Sequence, residues 1–267
     1  MTITQRSRNP HRRRSGLAVA AAAVVALALF GAACGDDDDD TAADNQADGT
    51  AETTGDAAAG GATGETAAFC DARIGLEQAF NADQPDVQAI DGLLDNLQAA
   101  APTDLASSVE GLSTVLTTAA ESGADPTDDP AFAENVQPVD EFALDQCGYD
   151  EVDVTAVDYG FEGVPETIEA GTVGFKLTNG GAEPHALVVF KFNDGDTTTL
   201  EQLLELPEEE VMQHASFAAA ASAEPGSWGA SFAELEPGRY AAFCPIPMGG
   251  DGPPHFMQGM SAEFEVS

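Results

Sequence analysis

The feature that most limits what this chain can fold into is a change, near position 150, in the period of its apolar residues. Between Ala67 and Cys147 they recur at three- and four-residue intervals: Phe69, Leu76 and Phe80; Val87, Ile90, Leu94 and Leu97; Leu105, Val109, Leu112 and Leu116; Phe132, Val136 and Val139. Residues so spaced share one face of a helix, so the segment predicts four amphipathic helices. Pro102-Thr103-Asp104 opens the third, a polar loop from Ser122 to Pro130 precedes the fourth, and Pro138 is expected to kink that last helix.

From Glu151 the interval becomes two. Val152, Val154 and Ala156 alternate with polar residues, as do Val173, Phe175 and Leu177, and a denser apolar run covers Ala186 to Phe192. Turn signals separate these runs, among them Asn179-Gly180-Gly181, Glu224-Pro225-Gly226 and Glu236-Pro237-Gly238. Such a pattern predicts an all-β sandwich or barrel over residues 150–267. One helical insertion is expected at 199–214, where Leu200, Leu203, Leu204 and Leu206 cluster around Pro207.

The N-terminus is a separate object. Five of the nine basic residues, Arg6, Arg8, Arg12, Arg13 and Arg14, precede an apolar run from Leu17 to Phe30 and the small residues Gly31-Ala32-Ala33. These are the parts of a secretory signal over residues 1–33, and the apolar run is too short to stay in a bilayer as a spanning helix. The small residues leading into Cys34-Gly35 resemble the lipobox of bacterial lipoproteins, although Gly31 stands where Leu is usual. The resemblance implies lipidation of Cys34 and a protein held at the outer face of the cell membrane; plain cleavage near Ala33 also gives export. From Asp36 to Thr66 there is no aromatic residue and no Leu, Ile or Val. Residues 34–66 therefore read as a lipidated Cys followed by a disordered acidic tether, spanning roughly 30 Å as a flexible coil.

Charge excludes one class of partner. The chain carries 47 Asp and Glu against 9 Lys and Arg, a formal charge of -38, which opposes binding to nucleic acid or to an anionic membrane through a basic face. Contact with the membrane is expected through the lipid anchor only.

Cysteine positions carry more information. Cys70 and Cys147 stand at the two ends of the helical segment, 67–149. A region of about eighty residues in an oxidising compartment gains from a covalent staple, so a disulfide-stapled helical bundle is expected; the bridge would contribute roughly 4 kcal/mol by the chain-entropy argument. Nothing in the segment reads as catalytic, and packing or partner docking is its expected role. Cys244 is then left over in an exported protein, and an unpaired thiol there needs a reason. Beyond the leader there are only three histidines. His185 follows a turn and opens an apolar strand, His255 follows Cys244 after a Pro- and Gly-rich stretch, and His214 reads as a surface residue of the insertion.

Thr178-Asn179-Gly180-Gly181-Ala182-Glu183-Pro184-His185, then Tyr240-Ala241-Ala242-Phe243-Cys244, then His255-Phe256-Met257-Gln258-Gly259-Met260, resembles the blue copper proteins of the plastocyanin and azurin family. The likeness covers Glu151 to Ser267. It implies a cupredoxin-like Greek-key sandwich or barrel, a mononuclear type 1 copper held by His185, Cys244, His255 and a weak axial Met260, and a bracing role for Asn179. Two imidazoles and a thiolate form a trigonal set that suits both Cu(I) and Cu(II), and zinc accepts the same donors. Apolar residues flank these positions: Phe243, Ile246, Pro253, Pro254, Phe256 and Met257. The chain departs from the family in the ten residues, Pro245 to Pro254, between Cys244 and His255, a much longer separation that also supplies Met248 and Asp251 as rival ligands.

Three functions remain open on these residues. The first is one-electron transfer through the solvent-near edge of His255 to a redox protein at the membrane surface. The second is copper scavenging or delivery to a copper-trafficking partner, which Met248 and Met257 favour because thioethers prefer Cu(I). The third is a metal-free partner-binding module on the same scaffold. An enzyme is not expected: there is no Gly-x-Ser-x-Gly, no His-Glu-x-x-His and no phosphate loop, and Cys244 with His255 as nucleophile and base lacks a third orienting residue.

Overall fold

The computed structural model describes residues 64–82, 86–122 and 124–267. The expected signal at 1–33, the lipidated Cys34 and the tether up to residue 63 lie outside the described residues. Among the described residues no helix is long and apolar enough to cross a membrane.

Four long helices come first: α1 (Glu65–Phe80), α2 (Val87–Ala100), α3 (Ala106–Ser122) and α4 (Pro130–Gln146). Their starts follow from the sequence. The Asp86 side chain accepts the Gln88 N–H, and that of Asp129 accepts the Ala131 N–H with Pro130 at the first helical turn, so backbone donors with no intrahelical partner are capped. Helix α4 runs through Pro138 without a break. Phe69, Leu76, Ile90, Leu94, Leu97, Val109, Leu112 and Val139 form the buried core of this region, while Val87, placed on the apolar face by its spacing, is exposed at the first residue of α2. Cys70 of α1 and Cys147, which caps α4, are joined in a disulfide.

Nine strands follow among the described residues: β1 (Asp150–Val157), β2 (Gly160–Glu162), β3 (Thr167–Ile168), β4 (Gly171–Asn179), β5 (His185–Phe192), β6 (Ala215–Ala223), β7 (Trp228–Leu235), β8 (Gly238–Phe243) and β9 (Ser261–Val266). They form a four-stranded sheet of order β2-β1-β4-β7 and a five-stranded sheet of order β3-β9-β8-β5-β6. The pairs β1–β4 and β3–β9 are parallel; the others are antiparallel. Inward rows from both sheets share one core, with Val154, Val173, Phe175 and Leu177 from the first facing Leu187, Val189, Tyr240 and Phe264 from the second. The expected alternatives of sandwich and barrel thus resolve to a sandwich: among the described residues no sheet closes on itself.

The two outer faces are covered differently. Phe232 points outward from β7 into the core of the helical region, and the Arg73 guanidinium lies 4.6 Å from its ring centre. Arg73 pairs with Asp140 (2.9 Å) and Glu77 (2.7 Å), and Glu77 also accepts the hydroxyl of Ser231 on β7. Gly174, opposite Phe232 in the β4–β7 ladder, lets α4 come close, because a Cβ there would lie 2.7 Å from the Leu144 side chain. On the other sheet, the insertion forms α5 (Leu200–Glu205), opened by a capping box between Thr199 and Gln202, and α6 (Glu208–Val211). Leu203 packs there with Phe192 and Ala241, the outward residues of β5 and β8.

Candidate metal centre

Strand alternation places the polar residues. In β5 the inward positions run Val189, Leu187, His185; in β8 they run Tyr240, Ala242 and then Cys244, one residue past the strand; in β9 they run Val266, Phe264, Ala262 and then Met260, one residue before it. In β4 they run Val173, Phe175, Leu177, Asn179. These strand ends meet at one end of the sandwich, so four apolar rows finish in Asn179, His185, Cys244 and Met260. All four are buried, as is His255.

Three of these residues converge. His185 Nδ1 lies 3.1 Å from His255 Nδ1, and Cys244 Sγ lies 3.4 Å from His255 Nδ1. The candidate ligand atoms of His185, Cys244 and His255 all fall within 4.8 Å of one another, the only such group among the described residues. Burial pushes the Cys244 thiol up from its ordinary range, opposed by the backbone N–H groups of Ala186, 3.3 Å from Sγ, and Ile246. Burial, and then the neighbouring His255, hold His185 below the ordinary imidazole range.

Proton placement shows how well this set suits a metal. His255 Nε2 faces the Glu183 carboxylate at 2.9 Å; a carboxylate only accepts, so Nε2 is the donor there, and in the neutral ring Nδ1 is left as the acceptor. If His185 donates from Nδ1, its Nε2 is a buried acceptor with no partner; if Nε2 carries the proton, it is a buried donor with no partner and two bare nitrogens face each other. Either arrangement costs on the order of 1–3 kcal/mol. A soft or borderline cation among the two nitrogens and the sulfur relieves the repulsion of the second, and that donor set fits copper or zinc.

The long separation between Cys244 and His255 is folded into a local excursion. Pro247 and Pro254 pair at its neck, the Met248 N–H donates to the Pro253 carbonyl (3.1 Å), and the His255 N–H donates to the Ile246 carbonyl (2.9 Å). The Phe256 N–H donates to the Cys244 carbonyl (3.0 Å), and the Cys244 N–H to the Met260 carbonyl (3.1 Å). His255 opens a short 3-10 turn (His255–Gln258) that ends at Gly259, whose φ of 103° only glycine adopts readily.

One expectation is corrected. The edge of His255 does not face solvent: the ring is fully buried, its Nε2 capped by Glu183. The excursion over this end causes the difference, since the Gly249 N–H donates to the other oxygen of the same carboxylate at 3.1 Å.

Asn179 donates to the carbonyls of Glu183 and Ala223, 2.8 Å each, and accepts the Gly181 N–H. Met260 is fully buried before β9. Met248 is half-buried in the excursion, Asp251 is exposed outside the cluster, and Met257 is 64% exposed. Phe243 and Phe256 meet edge to face, and Ile246 packs on the sandwich core. His214 pairs with Asp196 and Thr198 away from the cluster.

Three residues at this end escaped the sequence reading. A Cβ at Gly181 would lie 2.6 Å from His185 Nε2. Tyr159, the one non-glycine residue of positive φ among those described, sets its ring edge-on to His255 at 5.3 Å and is 38% exposed. The third is Glu183. A glycine in a Gly-Gly turn and an acid two residues before a histidine were visible signals, but ordinary ones in so acidic a chain.

No protein-family model and no curated protein matches the chain. Solved structures similar to it include a dithionite-reduced auracyanin from the photosynthetic bacterium Roseiflexus castenholzii, at 17% identity and a TM-score of 0.31 over 44% of this chain and 96% of that one. Auracyanin A, a "blue" copper protein from Chloroflexus aurantiacus, matches at 17% identity and a TM-score of 0.31 over 45% of this chain and 100% of that one. An oxidised amicyanin variant matches at 14% identity and a TM-score of 0.26 over 43% and 81%.

Proposed function

We propose that the chain is an exported, lipid-anchored, cupredoxin-like protein that holds one copper ion and transfers single electrons. The observation that carries this reading is the convergence of His185 Nδ1, His255 Nδ1 and Cys244 Sγ at a buried end of the sandwich. His185, Cys244 and His255 would hold the metal, Met260 would be a further, weak ligand, and Asn179 braces the loop that carries His185. Copper bound there supplies a one-electron Cu(II)/Cu(I) couple, which a trigonal nitrogen and thiolate set accommodates in both states.

The chain's own residues do the rest. Burial of both imidazoles and the sulfur excludes water, and the Ala186 N–H near Sγ draws electron density from the thiolate. The backbone bonds from His255 to Ile246 and from Phe256 to Cys244 fix the two C-terminal ligands to each other, so little rearrangement accompanies a change of charge. With His255 covered, the route outward is by the exposed ring of Tyr159 that it touches. Cys34 is the anchor in this reading, the acidic tether gives reach, and the partner is a redox or copper-trafficking protein at the membrane surface. The test is an absorption titration of the metal-free full chain with Cu(II). A strong thiolate-to-copper band saturating at one equivalent, and absent in Cys244→Ser, is expected; no band in protein shown to hold copper would reject the reading.

The exposure of Met257, two residues from His255, favours a second reading, copper storage or delivery as Cu(I). Stoichiometric Cu(I) binding with no stable Cu(II) form would select it. Unchanged melting on adding copper would leave a metal-free binding module, and tighter binding of zinc than of either copper ion would make the centre a zinc site.

A further inference from the structure

A pair of imidazoles and a thiolate does not by itself require the carboxylate found beside them. Glu183 Oε2 lies 2.9 Å from His255 Nε2, and Glu183 Oε1 accepts the Gly249 N–H at 3.1 Å. The His255 side chain is fully buried, whereas that of Glu183 is one-third exposed, so the carboxylate is the outer cap of the ring. Its backbone is held as well: the Glu183 carbonyl accepts the Asn179 side chain at 2.8 Å, and Pro184 follows.

We infer that Glu183 is a positioning residue that keeps the proton of His255 on Nε2, leaves Nδ1 bare toward Cys244 and His185, and ties the 247–254 excursion over the ring. Its effect on metal binding rests on the copper reading above; its effect on the proton does not. A carboxylate only accepts, so both of its contacts need donors, and the Gly249 N–H and an Nε2-protonated His255 supply them. Glutamine has one acceptor and one donor end. With its carbonyl on Gly249, its amide N–H groups face Nε2 and drive the His255 proton to Nδ1, where a metal should bind. With its carbonyl on His255, it sets donor against donor at Gly249. Either way one of the two functions is lost.

A carboxylate behind a ligating histidine also strengthens the ring as a donor, and removing such a partner typically weakens metal binding about 10–100-fold. The stronger donor favours Cu(II) over Cu(I). Each tenfold loss of that preference raises a one-electron potential by about 59 mV.

The test is made on the full chain, wild type and Glu183→Gln, above the ordinary imidazole titration range. Long-range nitrogen-15 NMR of the metal-free proteins reads the His255 tautomer. Titration with Cu(II), and with Cu(I) under reducing conditions, reads affinity and hence potential. The expected result is Nε2–H in wild type, a shift toward Nδ1–H in Glu183→Gln, a Cu(II) affinity at least tenfold lower and a higher potential. A structural role alone would lower stability without moving the tautomer. Nδ1–H in wild type overturns the inference with no variant needed, as does a Glu183→Gln protein with unchanged tautomer and copper affinities. A tautomer shift in a chain whose wild type binds no copper would uphold the role of Glu183 and reject the copper reading.

Discussion

Pro247 and Pro254 face each other as an isolated antiparallel pair at the neck of the segment between Cys244 and His255. The flanking bonds run from the Met248 N–H to the Pro253 carbonyl and from the His255 N–H to the Ile246 carbonyl. The prolines thus occupy a pair position that asks neither for an N–H. The neck brings Ile246 beside His255, and the thiolate and imidazole meet as they would across a short connection. The length of the loop is spent outside the neck.

Four Gly and Ser residues inserted between Gly250 and Asp251 are therefore expected to leave Cu(II) affinity within about threefold, since the added loop-closure cost is only about 0.3 kcal/mol. The same insert between Pro245 and Ile246, inside the neck, is expected to abolish one-equivalent binding. Equal effects of the two inserts in a Cu(II) titration would show that the neck does not position His255.

Gly181→Ala is expected to push His185 from its place. The new Cβ would meet His185 Nε2 at 2.6 Å and Asp158 Oδ1 at 2.9 Å, and a buried ring at the end of β5 has little room to yield. A cost of about 1–3 kcal/mol is expected, typical of overpacking, together with weaker copper binding. Melting and copper titration of the folded variant check this; wild-type behaviour in both would mean that the ring relaxes freely.

Much of this end of the sandwich was legible because strand alternation is regular. Tyr240, Ala242 and Cys244 face one way, and an unpaired cysteine in that row marked the centre before any geometry was known. The disulfide between Cys70 and Cys147 followed from their places at the ends of the helical segment. Glu183 was not legible, because its role depends on a loop folding back to bring Gly249 to the other side of the carboxylate, a contact across 66 residues. The covered state of His255 was missed for the same reason. Nor did the spacing show that Phe232 leaves the sandwich to join the helical core, since an outward strand position looks the same facing water or a helix.

Arg73 joins the helices to the sheet, and its removal is expected to leave the buried Asp140 and its neighbour Glu77 without their cation, Asp140 then being buried as a lone charge or as an acid with no partner. Arg73→Met should lower stability by about 3–5 kcal/mol. Adding Asp140→Leu to the same chain should restore much of that. Urea unfolding measures both; a double variant no more stable than the single one would contradict the account, and the copper band of the folded variants should not change.

The most direct test of the central claim is the electron paramagnetic resonance spectrum of the full chain loaded with one equivalent of Cu(II). Binding by His185, His255 and the Cys244 thiolate predicts a narrow copper hyperfine splitting, because the sulfur shares the unpaired electron, and that signature should disappear in Cys244→Ser. A wide splitting of the kind given by nitrogen and oxygen ligands, unchanged in Cys244→Ser, would contradict it and place the copper elsewhere on the protein.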